Sequence, residues 1–370
     1  MEENLNLQKH FTKIKDFRVE GRCDHLLSDI LLLVLCGVIA DCDDFAQIYD
    51  YGKDNEQFLR NELGLSLLNG IPSEDTLGRV LRGLKPDGLQ TALQDCYQDI
   101  GVKLAGKHLC IDGKELRGTV PKGKKHALIQ LVSVWVTDEK LSFGQLAVDA
   151  KSNEITAIPA LIETLDCTGA VITIDAIGCQ KDITEKIVGQ EADYIIGLKK
   201  NQGALYEQLS QWLIKQKPIL PCYQEISKDH GRGEIRKVFV CQNLDLVEAT
   251  HAWTKLQSVA MVETTRMVGE KEETSTRFFI SSLLNQEPEV YAGYIRKHWG
   301  IENNLHWHLD ISFREDASRI RKENGPQNLS AIRKMALFMF GKDNDKISLK
   351  RKRKKAARNN QYLLQLFKNS

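Results

Sequence analysis

The sequence lacks closely spaced cysteine pairs, long hydrophobic runs and any large net charge. Its nine cysteines are scattered singly between Cys23 and Cys241 with no CxxC spacing, so a structural zinc site is not expected. An odd count, with no signal-like pattern at the N-terminus, fits a reducing cytosol and a cytoplasmic location. The longest apolar run, Ile30 to Ala40, is closed by Asp29 and Asp41. It is too short to span a bilayer and reads as a buried helix, so no membrane association is expected. There is no Walker loop, no GxGxxG element and no Ser-His-Asp pattern, which removes the commonest nucleotide-binding and acyl-transfer chemistries.

The net charge of +1 hides an uneven distribution. From Lys342 to Ser370 there are ten Lys or Arg against two Asp, leaving the rest of the chain acidic. A basic tail on an acidic body fits an anionic polymer partner, although a charge run is as often a solvated end.

Residues 1–100 read as helical. A helix is expected around "LLSDILLLVLCGVIA", others within "FAQIYDYGKDNEQFLRNEL" and "PDGLQTALQDCYQDIG", and one after Pro72 with Ser73 as its cap. The texture changes at His108. "HLCIDG", "ALIQLVSVWVT" and "LSFGQLAVD" read as three strands of an antiparallel meander. Then come a helix capped by Ser152 or Asn153, the apolar strand "AVITIDAIG", the helix "CQKDITEKIVGQEA" and the strand "DYIIGLKKN". A meander joined to parallel strands by crossover helices is a mixed α/β sheet of the ribonuclease-H-like pattern. Residues 205–287 read as a β-rich insertion opened by the helix "ALYEQLSQWLIKQ", and helices return at Pro288 and after Pro326. The expected organisation is an all-α unit over 1–100, a catalytic unit over 101–345 and a basic tail over 346–370.

Three acids stand out. Asp112 and Asp175 each end an apolar strand, and each is followed by a small residue, Gly113 or Ala176, that leaves room for a substrate. One Asp at a strand end is most often a turn or cap residue. Two of them on strands expected to be neighbours would repel unless a cation sat between them. Glu302 is the third: on a helix it shares a face with His298, Trp299, Leu305 and His306, so aromatic packing is expected to hold it toward the sheet. The plainer alternative is an interfacial glutamate satisfied by His306. Asp310, Glu315 and Asp316 compete for the third place. His306 and His308 point apart on a helix, which argues against a His-based dinuclear site, and Trp299 reads as packing rather than base stacking. Oxygen ligands suit Mg²⁺ or Mn²⁺, and two such ions support in-line phosphoryl transfer on a nucleic-acid backbone.

The segments "IDGKELRGT", "KSNEITAIPALIETL", "TIDAIGCQKDI", "YIIGLKKNQ", "HGRGEIR" and "HWGIENNLHWHLDISFREDASRIR" together resemble the H-repeat-associated transposases, insertion-sequence enzymes of the DDE superfamily. "DHLLSDILLLVLCGVIADCDDF" through "GIPSEDTLGRVL" resembles their helical N-terminal domain, so the resemblance covers nearly the whole chain. It implies a ribonuclease-H-like catalytic domain with a β-rich insertion and Mg²⁺-dependent cutting and joining of element ends. It also implies double-stranded DNA as partner, bacterial nucleoid association and a dimer or larger assembly on DNA. Carried over by position, the triad is Asp112, Asp175 and Glu302. The superfamily signature Y-x2-R-x3-E-x6-K is not kept around Glu302. Its Arg place holds His298, its Tyr place Ile295 with Tyr294 adjacent, and its Lys place Leu309. Arg296, Lys297 and His298 are the candidates to replace those phosphate contacts.

Further DNA contacts are expected from Lys199, Lys200, Asn201 and Gln202 after a buried strand, and from His230, Arg232 and Arg236 in the insertion. Arg319, Arg321 and Lys322 follow the Glu302 helix, and Lys350, Arg351, Lys352 and Arg353 lie in the tail. A structure-specific nuclease with the same triad, or a DNA-binding relic without activity, are the competing functions.

Overall fold

A computed structural model describes residues 6–120, 129–148, 153–229, 232–269 and 271–369. The N-terminal stretch contributes α1 (Leu7–Phe11), α2 (Leu27–Ile39), α3 (Phe45–Asp54), α4 (Glu56–Asn61), α5 (Glu74–Gly83) and α6 (Pro86–Asp99). Helix α2 is apolar all round and buried throughout, as such a pattern requires. Ser73 caps α5 by accepting the Thr76 N–H at 3.3 Å. The short α1 falls within the stretch that reads as helical, although no local sequence signal marks it.

The sheet begins at β1 (His108–Leu116) and continues through β2 (Ile129–Val136) and β3 (Leu141–Ala147). Then come α7 (Glu154–Glu163), β4 (Val171–Ile174), α8 (Lys181–Gly189) and β5 (Asp193–Leu198). This is the expected β-β-β-α-β-α-β order, with Asn153 rather than Ser152 in the cap position of α7; Ser152 lies outside the described residues. After α9 (Gly203–Gln216) come β6 (Cys222–Asp229), β7 (Arg232–Cys241), β8 (Ser258–Val268) and β9 (Lys271–Ser281). These strands do not form a layer of their own. They extend the same sheet, giving the order β3-β2-β1-β4-β5-β9-β8-β7-β6. Strands β1, β4 and β5 are parallel, and β9 joins β5 antiparallel. The fold is therefore mixed α/β.

Helical structure returns with α10 (Pro288–His298) and α11 (Trp307–Ile311), followed by α12 (Gly325–Gly341), α13 (Leu349–Ala356) and α14 (Asn360–Lys368). The last two fold the basic stretch 346–370 into helices rather than leaving its charge run as a solvated end. Ala356, Leu363 and Leu366 are buried in a hydrophobic core that also holds Leu31 of α2 and Ile111 of β1. A basic run can fold this way because its long side chains bury their stems while a few heads find internal acceptors.

Candidate active site

Parallel pairing sets the positions of the two aspartates. Ile111 of β1 pairs with Ile174 of β4, so Asp112 and Asp175 occupy matching places one residue further on. All four residues of β4 are buried, which anchors Asp175 from below. Asp175 accepts the Ile177 N–H at 3.0 Å and so caps a short 3-10 turn, Ala176–Gly178. That turn can approach β5 because residue 197 is glycine: a Cβ there would lie 3.1 Å from the Ala176 nitrogen. Asn201 donates to Ala176 O at 2.9 Å and Gln202 to Cys179 O at 2.7 Å. These amides, expected among the DNA contacts, brace the Asp175 turn.

Glu302 sits where the helix is not regular. After α10 ends, Glu302–His306 winds as a π-turn closed by the Trp307 N–H bonding to Glu302 O, five residues back. Ile301 and Leu305 bury this segment, whereas Trp299 and Trp307 are 48% and 53% exposed. Aliphatic rather than aromatic packing therefore positions Glu302, and the expected packing role of Trp299 is not observed. His306 is buried, and its Nδ1 lies 3.6 Å from both Asp112 Oδ2 and Glu302 Oε2. Asp112, Glu302 and His306 could together hold a metal ion.

Asp112, Asp175 and Glu302 line one cavity of about 360 Å³. Burial, then the charges of Glu302 and Asp175, push the Asp112 carboxyl up to about 8. The hydrogen bond from His306 holds Glu302 below the usual carboxylate range. The space beside Gly113 is not open to substrate, because Glu154 of α7 fills it. Burial, then Asp175, raises the Glu154 carboxyl, and Gln130 donates to it. Sequence reasoning missed Glu154, whose place at the start of α7 looks like an ordinary helix-terminal acid.

The competing acids are otherwise engaged. Lys114, two residues beyond Asp112, lies 2.7 Å from Asp310, 3.2 Å from Glu315 and 3.4 Å from Asp316. Behind the cavity runs a buried polar relay. His298 Nδ1 is 2.9 Å from Thr173 Oγ1, which is 2.9 Å from His108 Nε2, and His108 Nδ1 is 3.1 Å from Thr137 Oγ1. Burial pulls His298 down to about 4 and His108 down to about 3, so both rings are neutral. His298 is thus held in a polar network while it also lines the acid cavity.

Sequence comparison adds to this geometry. The "Transposase DDE domain" family matches residues 103–339, and the "DDE_Tnp_1-associated" family matches residues 8–96. The chain belongs to the DDE transposase family. It is 36% identical to "H repeat-associated putative transposase YhhI" of Escherichia coli K12, covering 100% of this chain and 99% of that one. It is 37% identical to "Putative transposase YncI" of Escherichia coli O157:H7, over 97% of this chain and 93% of the other. A shorter relative, "Inactive transposase YbfQ" of Escherichia coli K12, is 37% identical over 21% of this chain and 92% of its own length.

The remaining candidate DNA contacts of this family member fall into three groups. Lys199 lines the acid cavity and, like Lys200, is exposed. Arg296 and Lys297 are exposed on α10 beside Glu225 and Asp138, at 3.4 and 3.7 Å. Arg319, Lys322, Lys350 and Arg351 are exposed. Other candidates are committed internally. Arg321 donates to Gly118 O at 2.7 Å, and Arg236 bonds Glu234 at 2.7 Å. Lys352 and Arg353 are buried, which corrects their reading as DNA contacts. Lys352 bonds Phe340 O and Asp343 O, and Arg353 bonds Val38 O and Ser312 O. Arg232 begins β7, and His230 lies outside the described residues. No described helix is long and apolar enough to cross a membrane.

Proposed function

We propose that this protein is an insertion-sequence transposase that cuts the ends of its element and joins them to target DNA by in-line phosphoryl transfer. The observation that carries this reading is the register match of Asp112 and Asp175 facing Glu302 across one cavity. The order β3-β2-β1-β4-β5, with its three parallel members, supports a ribonuclease-H-like catalytic core over 101–345 carrying an insertion at 205–287. The run of helices before β1 supports a helical unit over 1–100, packed on the same core as the sheet.

The donor set fits a divalent cation. Carboxylates crowded enough to push Asp112 up to about 8 need a positive charge among them. Asp112, Asp175 and Glu302 would hold Mg²⁺ or Mn²⁺, two ions in the full arrangement, with His306 beside two of these acids. Bound there, such ions supply activation of the attacking oxygen and neutralisation of the leaving one. The chain's own contribution is positional. The Asp175 turn, braced by Asn201 and Gln202, and the π-turn at Glu302 fix the donors before substrate arrives. Lys199 adds positive charge on the cavity wall for the phosphate. Exposed Lys200, Arg296, Lys297, Arg319, Lys322, Lys350 and Arg351 are proposed contacts to duplex phosphates. Bringing two element ends together requires a dimer or larger assembly on DNA.

The test is cleavage of a supercoiled plasmid carrying the element's ends, by wild type and Glu302→Gln, with Mg²⁺ or chelator. Cutting at the ends that requires both Glu302 and the metal is expected. Cutting that survives Glu302→Gln would remove Glu302 from the site. Strand transfer from pre-cut ends then separates a transposase from a simple nuclease.

A further inference from the structure

The buried polar relay lies on the same face of the sheet as the acids. Successive residues of a strand alternate between faces, so His108 and Asp112 project from one side of β1, and Thr173 and Asp175 from one side of β4. Cys110 pairs with Thr173 in the parallel register, which sets the two rows side by side. His298, at the end of α10, bonds Thr173 and lines the acid cavity. At the far end, Thr137 lines a second cleft of about 700 Å³ with Lys140, Arg236, Arg266 and Lys297. The relay therefore runs from one cavity to the other.

Each member of the relay both accepts and donates. A neutral imidazole has one N–H and one bare nitrogen, and a hydroxyl gives one proton while accepting another. Four such groups in line can point every proton the same way. His298 Nδ1–H donates to Thr173 Oγ1, Thr173 O–H to His108 Nε2, and His108 Nδ1–H to Thr137 Oγ1. The contact from Thr173 to Leu109 O, at 3.4 Å, is longer than its two imidazole contacts at 2.9 Å. Tyr294 meets the His108 ring edge-on, with centres 4.9 Å apart, and keeps that ring in line. The wall between the two cavities offers no such path. Arg277 and Trp299 line both, guanidinium 5.6 Å from ring centre, and neither side chain has a nitrogen that accepts a proton.

In-line attack on a phosphodiester frees one proton. The O–H bond of the attacking oxygen breaks and its electron pair stays behind. An O–P bond forms, and the P–O bond to the leaving oxygen breaks with its pair. Substrate filling the acid cavity displaces the water that would otherwise carry that proton away. We propose that His298, Thr173, His108 and Thr137 form a proton path that takes it from the acid cavity to the second cleft. The proton adds to His298 Nε2, and the proton on Nδ1 passes to Thr173 Oγ1. Thr173 gives its own proton to His108 Nε2. The proton on His108 Nδ1 passes to Thr137 Oγ1, which releases its own to solvent in the cleft. One proton enters, one leaves, and every group ends neutral with its hydrogen bonds reversed. This rests on the phosphoryl-transfer reading for the source of the proton. It also gives His298, at the arginine place of the family signature, a task that arginine cannot perform, since a guanidinium has no acceptor.

The test is single-turnover joining of pre-cut element ends by the full-length chain with Mg²⁺. Thr173→Val removes the middle hydroxyl and nearly keeps the shape. It should slow joining about a hundredfold, the lower end for a positioned proton acceptor, while Thr173→Ser should stay within about threefold of wild type. Thr137→Val, at the half-buried far end, should slow joining about tenfold and decides the matter if Thr173→Val does not fold. In mixtures of light and heavy water the wild-type rate should fall along a curve, because several protons move together. In Thr173→Val it should fall along a straight line. Affinity for DNA, and for Mn²⁺ read from the paramagnetic signal of the free ion, should not change. Full-rate joining by Thr137→Val would overturn the proposal, as would equal losses in Thr173→Ser and Thr173→Val. A loss that comes with weaker Mn²⁺ binding would make the relay a brace for Glu302 and overturn it too. Wild-type joining that neither valine variant slows sinks this proposal alone. No cutting or joining by wild type sinks the phosphoryl-transfer reading, and the path with it.

Discussion

Asp112 is the side chain on which the electrostatics of the site converge. Burial, Glu302 and Asp175 all disfavour its charged form, lifting it to about 8. A carboxyl raised in the folded state binds more protons there than in the unfolded chain. Without metal, its contribution to stability therefore falls as pH rises from about 4, the unfolded value, toward about 8. Asp112→Asn removes that loss. In chelator its melting temperature should exceed wild type at pH near 8, and the gap should close near pH 5. The same variant should bind DNA and fail to cleave it. A melting temperature that tracks wild type at both pH values would show that the acids do not repel as their geometry requires. Active-site acids commonly cost stability in this way.

At the scale of elements, the relay His298–Thr173–His108–Thr137 ties α10 to β4, β1 and the turn after β2. His108 is neutral when folded, at about 3, while its unfolded value is near 6.5. Between those values the unfolded chain binds the extra proton, so this part of the stability is lost as pH falls below about 6.5. His108→Asn, which can still hydrogen-bond, should make the acid loss of stability shallower by one proton, about 1.4 kcal/mol per pH unit. Denaturant unfolding at several pH values between these limits measures it, and an unchanged slope would show that His108 titrates alike in both states. Strands and acids in this region were readable because apolar runs such as "AVITI" fix a buried strand and leave the next residue at its mouth. Three features had no such signal. Edge strand β6, "CYQEISKD", is polar and finds its place only by pairing with β7. The π-turn is a backbone adjustment that brings His306 between two acids, with no residue type that announces it. Arg277 and Trp299 are brought together only because β9 lies beside the core strand β5.

At the scale of the whole molecule, one core joins the N-terminal helices, the sheet and the C-terminal helices. Arg353 connects these parts. It is 1% exposed, bonds Val38 O at the end of α2 at 3.0 Å, pairs with Asp41 at 3.0 Å and stacks over Phe313 at 4.6 Å. Arg353→Ala would leave those buried acceptors unpaired and should destabilise the protein by about 3 kcal/mol in denaturant unfolding. Replacing exposed Lys350 and Arg351 should instead spare stability and lower only the salt dependence of DNA binding. Equal stability losses from the two changes would deny Arg353 its special place. From the sequence alone "LKRKRKK" is one undivided charge run; what turns Arg353 inward includes the Val38 carbonyl, more than three hundred residues away.

The bond from Arg353 to Ser312 O also has a meaning in time. Ser312 follows the helical stretch that carries Glu302, and a ribosome makes all three acids before it makes Arg353. An unfinished chain thus holds every acid of the site while the segment beyond Glu302 still lacks its partner. On the function proposed above, synthesis from N- to C-terminus would delay the cutting of DNA until the helix that carries Arg353 has docked.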